Sequence, residues 1–336
     1  MKALQYRAFG GYEENRLVEL PMPSPSNGEV LLRMRTVGIN PLDNTFRSGH
    51  HPAANGQNLA RVGGQNGVGI VVETRNPAFK PGERVTVAGG GFGRSLDGTW
   101  REFMTAPADF LSIVPDDVSD DIASAFVAGA GYLTGYLALT EFAKFKPGQI
   151  VLAPGIGGAV GMETVQIARR LGAGMAISTA STTEKAETAR AAGYGDAIDL
   201  SRESLRDGVA RLTSGAGVDV IVDGVGGDLA GEAVGTLAFG GMWISVGYAG
   251  GRNASIDVTD LIWRGATARG FVFRPEIFSA DAIAIAKEVL QKFLIEGGLS
   301  PTIAKIFPLA QAAEAVRHLI EDRPFGRVLM NVSSAG

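Results

Sequence analysis

Cysteine is missing from the chain altogether. Its absence removes disulfides, thiolate nucleophiles and every zinc site built on cysteine. Histidine is scarce, at three residues, and no ligand spacing recurs among histidines and carboxylates, so no metal site is expected. A basic surplus is also lacking. Lys and Arg number 31 against 35 Asp and Glu, a formal net charge of −4, so nucleic acid is not an expected partner. We find no run of about 18 apolar residues, the length a membrane span needs. The opening Met1-Lys2-Ala3-Leu4-Gln5-Tyr6-Arg7 has none of the apolar character of a signal peptide. The expectation is a cytoplasmic protein with no membrane contact.

What the chain has is length and glycine. Its 336 residues suit two domains, and its 47 glycines suit a fold of tight turns and close backbone approaches. The first third reads as short strands broken by Gly and Pro: residues 1–6, 29–37, 67–74, 84–87, 100–106 and 109–114. Such a series suggests a barrel-like β module. From Ser119 the pattern turns helical, with Ser119-Asp120-Asp121 able to cap a helix through Ala128 and a second helix expected over 131–145.

Residues 149–172 form the chain's clearest unit. Ile150 to Ala153 is apolar, Gly155, Gly157, Gly158 and Gly161 follow, and a helical pattern then runs to Leu171 and Gly172. Strand, glycine turn and helix together are the setting in which such glycines hold a dinucleotide pyrophosphate. Strands and helices then alternate, with strands at 174–179, 196–200, 218–223, 242–247 and 268–273. Six strands so spaced predict a doubly wound parallel sheet. The expected α/β architecture is therefore a Rossmann-type domain beside a β module. After the second strand an NAD site usually carries an acidic residue. Here the stretch is Ser178-Thr179-Ala180-Ser181-Thr182-Thr183-Glu184-Lys185. Ser181 and Lys185 suit a 2′-phosphate and hence NADP(H). The other reading makes Ser181 or Thr182 a helix cap and Lys185 a solvated lysine.

With those residues placed, the chain resembles the medium-chain dehydrogenase/reductase superfamily, and within it the zinc-free quinone oxidoreductase group. The resemblance rests on Val37-Gly38-Ile39-Asn40-Pro41-Leu42-Asp43, Lys80 to Val85, Gly98 to Met104, Ala128 to Tyr136, the glycines 155, 158 and 161, Val218 to Gly227, and Arg269-Gly270-Phe271. It implies a GroES-like β-barrel catalytic domain over 1–124 and 274–336, and a Rossmann NADP-binding domain over 125–273. It also implies hydride transfer from NADPH to a small quinone or another electron-poor molecule, and a homodimer that pairs across the sixth strand. The cofactor-site candidates are Thr134, Gly155, Gly158, Ala159, Val160, Gly161, Ser181, Lys185, Val225, Gly247, Tyr248, Phe271, Phe273 and Arg327. Ala159 stands where the family commonly has Gly.

Three residues are catalytic candidates. Asn40 would hold either the nicotinamide ribose or the substrate oxygen. Asp43 either orients a ligand or caps the short helix. His51 is a candidate proton donor because imidazole titrates near neutrality, with simple exposure as the alternative. His50 is a weaker candidate, and His318 has no visible partner. Two departures, Gly63-Gly64-Gln65-Asn66 where an acidic residue is usual and His51 where relatives often have Tyr before Pro, leave the substrate open. An enone or enoyl substrate, a metal-free carbonyl reduction, and a non-enzymatic NADPH-binding role all stay in play. The substrate pocket is expected from loops 46–67 and 89–100 and the region of Tyr248 and Phe271.

Overall fold

A computed structural model describes residues 1–54 and 59–332. The central part of the expected 46–67 loop, residues 55–58, lies outside the described residues. The chain divides into two units, residues 1–130 with 301–336 and residues 131–300.

The first unit is built round one long strand, Glu29–Ile39. One edge of it pairs with Asn66–Thr74. The other edge is shared, with Phe103–Pro107 opposite residues 29–33 and Arg327–Asn331 opposite residues 36–39. Ile303–Pro308 adds outside the last strand, while Arg84–Ala88 and Leu111–Ile113 extend the sheet on the other side. A three-stranded sheet of Arg16–Glu19, Lys2–Tyr6 and Arg61–Val62 accompanies it. The sequence reading missed two of these strands, Arg16–Glu19 and Arg61–Val62. The core gathers Leu4, Leu32, Met34, Trp100, Met104 and Phe307. Trp100 is no strand residue. It lies in the loop before Phe103, fully buried, with its indole N–H donated to the Gly38 carbonyl at 3.0 Å.

The second unit is the parallel sheet. Its strands are Ile150–Ala153, Met175–Ala180, Ala197–Asp199, Val218–Asp223, Leu237–Ser245 and Thr267–Gly270. Numbered one to six in the chain, they stand in the order 3-2-1-4-5-6. All are parallel, and the progression of strand order reverses between the first and fourth strands, the switch point at which ligands bind in such sheets. Helices Ala159–Arg170, Thr183–Ala191, Leu205–Thr213 and Gly227–Val234 connect the strands. Buried runs such as Val220, Ile221 and Val222 reflect a sheet covered on both faces.

Three differences from the sequence reading have physical causes. The helix Ala280–Ile295, assigned above to the barrel domain, belongs to the sheet unit. It buries Ala286, Leu290 and Leu294 and contacts the helix Gly131–Leu137. The sixth strand ends at Gly270, because Phe271, Phe273 and Phe278 fold into an aromatic cluster with Phe142. Among the described residues one segment, Asp120–Phe142, is long and apolar enough by composition to cross a membrane, against the expectation of none. It is not one continuous helix. Gly129 and Ala130 take left-handed dihedrals (φ 63 and 52), and much of its apolar stretch is buried in the protein.

Candidate functional site

In the sheet unit the candidates converge at the switch point. The first strand ends at Ala153, Pro154 follows, and Gly155 turns the chain with φ +84. Helix Ala159–Arg170 follows, with Gly158 as its N-cap and no acidic residue in its first turn. A Cβ on Gly155 would lie 3.0 Å from Val225 Cγ2, and one on Gly224 would lie 2.8 Å from Val160 Cβ. One on Gly247 would lie 2.7 Å from the Gly224 carbonyl oxygen. The ends of strands one, four and five therefore meet, and Gly155, Val160, Gly161, Val225 and Gly247 line one place. Gly161 packs against the Pro154 and Gly155 carbonyls, whereas Gly158 is exposed and faces almost open space. The first N–H groups of a helix have no intrahelical acceptor and carry its positive dipole end, so this turn can hold an anion.

Two residues that the sequence reading did not single out organise the turn. Thr179 Oγ1 accepts from the Gly155 N–H at 3.0 Å, and the Thr179 carbonyl accepts from Ile156 N–H at 2.8 Å. Asp223, buried at the end of the fourth strand, accepts from the N–H groups of Val225 (2.8 Å) and Gly226 (3.0 Å) and from Trp243 Nε1 at 3.2 Å. A carboxylate ending a strand before a glycine pair was a visible signal for the second; the first had none.

At the end of the second strand, Thr182 caps helix Thr183–Ala191 by accepting from the Lys185 N–H. Ser181 is exposed and has no part in that cap. Lys185 is half-buried, and Glu184 points to solvent. Thr134 is buried on helix Gly131–Leu137, whose neighbour Gly135 would put a Cβ 2.6 Å from Thr164 Oγ1. Tyr248 is 47% exposed, with the Arg252 guanidinium 5.5 Å from its ring. Phe271 and Phe273 meet edge to face at 5.0 Å.

In the barrel unit a buried polar cluster forms where the long strand becomes a helix. Asn40 is the N-cap of Pro41–Arg47, and Asp43 is its third residue. Asp43 Oδ2 accepts from the Asn40 backbone N–H at 2.8 Å and from Asn40 Nδ2 at 3.3 Å. Asp43 Oδ1 accepts from Gln65 Nε2 at 3.0 Å. Asp43 thus does cap the helix, and it does more. Burial pushes its carboxyl up to about 6, against the opposing pull of the hydrogen bonds from Gln65 and Asn40 and of the Arg94 charge. Asn40 Oδ1 is buried with no hydrogen-bond partner. It faces Gly129, where a Cβ would lie 2.9 Å from it and 3.1 Å from Arg327 Nη1. Arg327 therefore stands beside Asn40 within the barrel unit.

His51 is anchored. Its ring stacks on Phe46 at 4.2 Å, and its Nδ1 accepts from the Ala53 N–H at 3.1 Å. In the neutral ring the proton is then on Nε2. His50 Nδ1 meets Ser48 Oγ at 2.8 Å. His318, for which the sequence shows no partner, pairs with Asp322 at 2.7 Å.

Comparison with known proteins adds a family context. Residues 26–116 match the model of the alcohol dehydrogenase GroES-like domain, and residues 159–288 match that of the zinc-binding dehydrogenase domain. The chain is 33% identical to a 2-haloacrylate reductase of a Burkholderia species over 96% of each chain. It is 30% identical to a quinone oxidoreductase of Pseudomonas aeruginosa, covering 98% of this chain and 99% of that one. The solved structure of Escherichia coli quinone oxidoreductase complexed with NADPH superposes with a TM-score of 0.86 at 25% identity, over 99% of this chain and all of that one.

Proposed function

This chain belongs to the quinone oxidoreductase-like group of the medium-chain dehydrogenase/reductase superfamily, and from that premise we propose an NADPH-dependent reductase that delivers hydride, without zinc, to a quinone or an α,β-unsaturated carbonyl compound. The observation that carries the reading is the convergence of Gly155, Val160, Val225 and Gly247 at the switch point, before a helix whose first turn bears no acid. The N–H groups of Ala159, Val160 and Gly161, at the helix start, would hold the NADPH pyrophosphate. Ser181 and Lys185 would hold the 2′-phosphate. Thr182 carries the helix cap, which leaves the Ser181 hydroxyl available, and no carboxylate ends the second strand to repel a dianion. Thr134, Tyr248, Phe271 and Phe273 are assigned to the nicotinamide end.

NADPH supplies, when bound, a hydride from C4. The protein's share is to bind the acceptor, take up the charge on its oxygen and deliver a proton. Asn40 and Asp43 form the polar end of the acceptor site. His51, with its neutral-ring proton on Nε2, is assigned as a hydrogen-bond donor to the acceptor oxygen; proton delivery draws on its imidazolium form, which gives up the Nδ1 contact to the Ala53 N–H. Preorganised donors of this kind act without reorganising during the reaction. The donor set does not fit zinc. The chain has no cysteine, and among the described residues no three His, Cys, Asp or Glu side chains gather. The 33% identical reductase, whose name specifies a haloacrylate, favours the unsaturated carbonyl among the two acceptor classes.

We also infer a homodimer. Thr267–Gly270 is an edge strand, exposed along its length, and Phe239, Ile262 and Trp263 are 87%, 63% and 79% exposed on the same side of the sheet order. Exposed apolar side chains along an open edge mark an association surface.

Fluorescence titration with NADPH and NADH tests the cofactor assignment. Lys185→Ala is expected to weaken NADPH about tenfold, the loss of one charge-assisted contact, and to leave NADH unchanged. Equal NADH and NADPH affinity together with no effect of the substitution contradicts it.

A further inference from the structure

Arginines of the barrel unit are almost all engaged. Arg47 donates to Asn44 and to the Gly10 carbonyl. Arg61 pairs with Asp97, Arg84 pairs with Asp120, and Arg101 donates to the Asp97 carbonyl. Arg94 differs. It is half-buried, its Nε is fully buried, and among the described residues its side chain makes no hydrogen bond and no ion pair. Its charge is near enough to Asp43 to act on that carboxyl.

The loop that carries Arg94 is held firmly. Gly98 N–H donates to the Val62 carbonyl at 2.8 Å, Thr99 N–H to Gly64 at 3.0 Å and Trp100 N–H to Gly63 at 3.0 Å. A Cβ on Gly93 would meet the Gly64 backbone, 3.0 Å from its nitrogen. This loop therefore lies on Gly63-Gly64, the segment that leads directly into Gln65, the donor to Asp43. A cation with no hydrogen bond and no ion pair among the described residues is thus held within electrostatic reach of the polar cluster assigned above to the acceptor. An unpaired, partly buried guanidinium is costly, and its planar fork of donors matches a carboxylate.

We propose that Arg94 is the anchor for a carboxylate on the acceptor, so that the substrate is an α,β-unsaturated carboxylic acid. A quinone offers no anion for this guanidinium to pair with. The inference rests on the reductase reading. In the reaction it implies, hydride adds to the β-carbon and a proton to the α-carbon, the C=C bond becomes a single bond, and one NADPH is oxidised to NADP⁺. Negative charge that grows on the carboxylate oxygens as hydride arrives falls on the Arg94 fork, so the same contact that selects the substrate also favours its reduction.

The test is calorimetric titration of the NADP⁺-loaded protein with crotonate and with crotonamide, which cannot react with the oxidised cofactor. Wild type is expected to bind the carboxylate about tenfold or more tightly than the amide. R94Q is expected to bring the ratio to about one, and R94K, which keeps the charge but loses the fork, to an intermediate value. Equal binding of acid and amide by wild type, or a preference retained in R94Q, overturns the proposal. NADPH oxidation by benzoquinone and methyl vinyl ketone, measured on the same preparation, separates the two levels. Turnover of either without a carboxylate preference refutes the anchor alone. A preference lost in R94Q without turnover of any acceptor, crotonate included, refutes the reductase reading and with it the substrate role of the acid.

Discussion

Substituting the two glycines of the phosphate turn separates packing from ligand binding. At Gly158 the backbone is ordinary for an L-residue (φ −97), and a Cβ would meet only the Gly155 carbonyl oxygen at 3.4 Å. Alanine is a poorer N-cap than glycine, by under about 1 kcal/mol, and it lowers unfolded-state entropy by about 0.4–1 kcal/mol in the opposite sense. Folding stability of Gly158→Ala is therefore expected within about 0.5 kcal/mol of wild type, a Tm change of about 2 °C or less. Under the proposed function, however, the added methyl would stand where phosphate oxygens approach the helix N–H groups. Losing one charge-assisted hydrogen bond costs about 1.5–3 kcal/mol, or about 10- to 100-fold in Kd. Gly161→Ala is the contrast. Its Cβ would fall 2.6 Å from the Pro154 carbonyl oxygen and even nearer that of Gly155. These are backbone atoms that cannot rotate away, so overpacking of about 1–3 kcal/mol is expected, lowering both Tm and NADPH affinity. Scanning calorimetry and NADPH fluorescence on both variants are the assay. If Gly158→Ala leaves both Tm and Kd unchanged, the turn serves only strand–helix packing and the reasoning fails.

Asp43 makes stability depend on pH in a definite direction. Its folded pKa, about 6, lies above the ordinary 3.8, so the acid form is favoured by folding. That stabilisation is full below about pH 4 and is lost as pH rises through 6, by up to about 3 kcal/mol. Urea titrations from pH 4 to 7 should show the fall in wild type and not in Asp43→Asn; identical slopes contradict the buried-acid assignment. At the sheet edge, Ile262→Glu combined with Trp263→Glu should convert the protein to a monomer in light scattering, and an unchanged mass contradicts the pairing.

What the sequence made legible was local. The glycine turn of 149–172 could be read because strand, turn and helix are contiguous and each leaves its own period. The Ser119 cap could be read for the same reason, and the structure has Ser119 Oγ accepting from Ile122 N–H at 3.2 Å. The features that escaped depend on distant partners. Thr179 supports Gly155 from a neighbouring strand, 24 residues along the chain. The stripe of Ala286, Leu290 and Leu294 shows that helix 280–295 buries a face, but not against which unit. Phe142, in a short π-helical turn, and Phe278 join Phe271 only through the return of that later segment. The polar cluster was legible in part. Asn40 and Asp43 stand three residues apart, and the capping geometry follows from that spacing. Gln65, which holds the other carboxylate oxygen, and Arg94, whose side chain makes no hydrogen bond or ion pair among the described residues, do not.

The proposed function stands on metal-free hydride delivery from NADPH to a conjugated acceptor. It is tested most directly by reaction of the chelator-treated protein with NADPH carrying deuterium at both C4 positions and an α,β-unsaturated carbonyl compound, with the product analysed by NMR. The expected result is one deuterium at the β-carbon and a rate unaffected by chelation. No transferred deuterium, or transfer that stops on chelation and returns with added zinc, contradicts it.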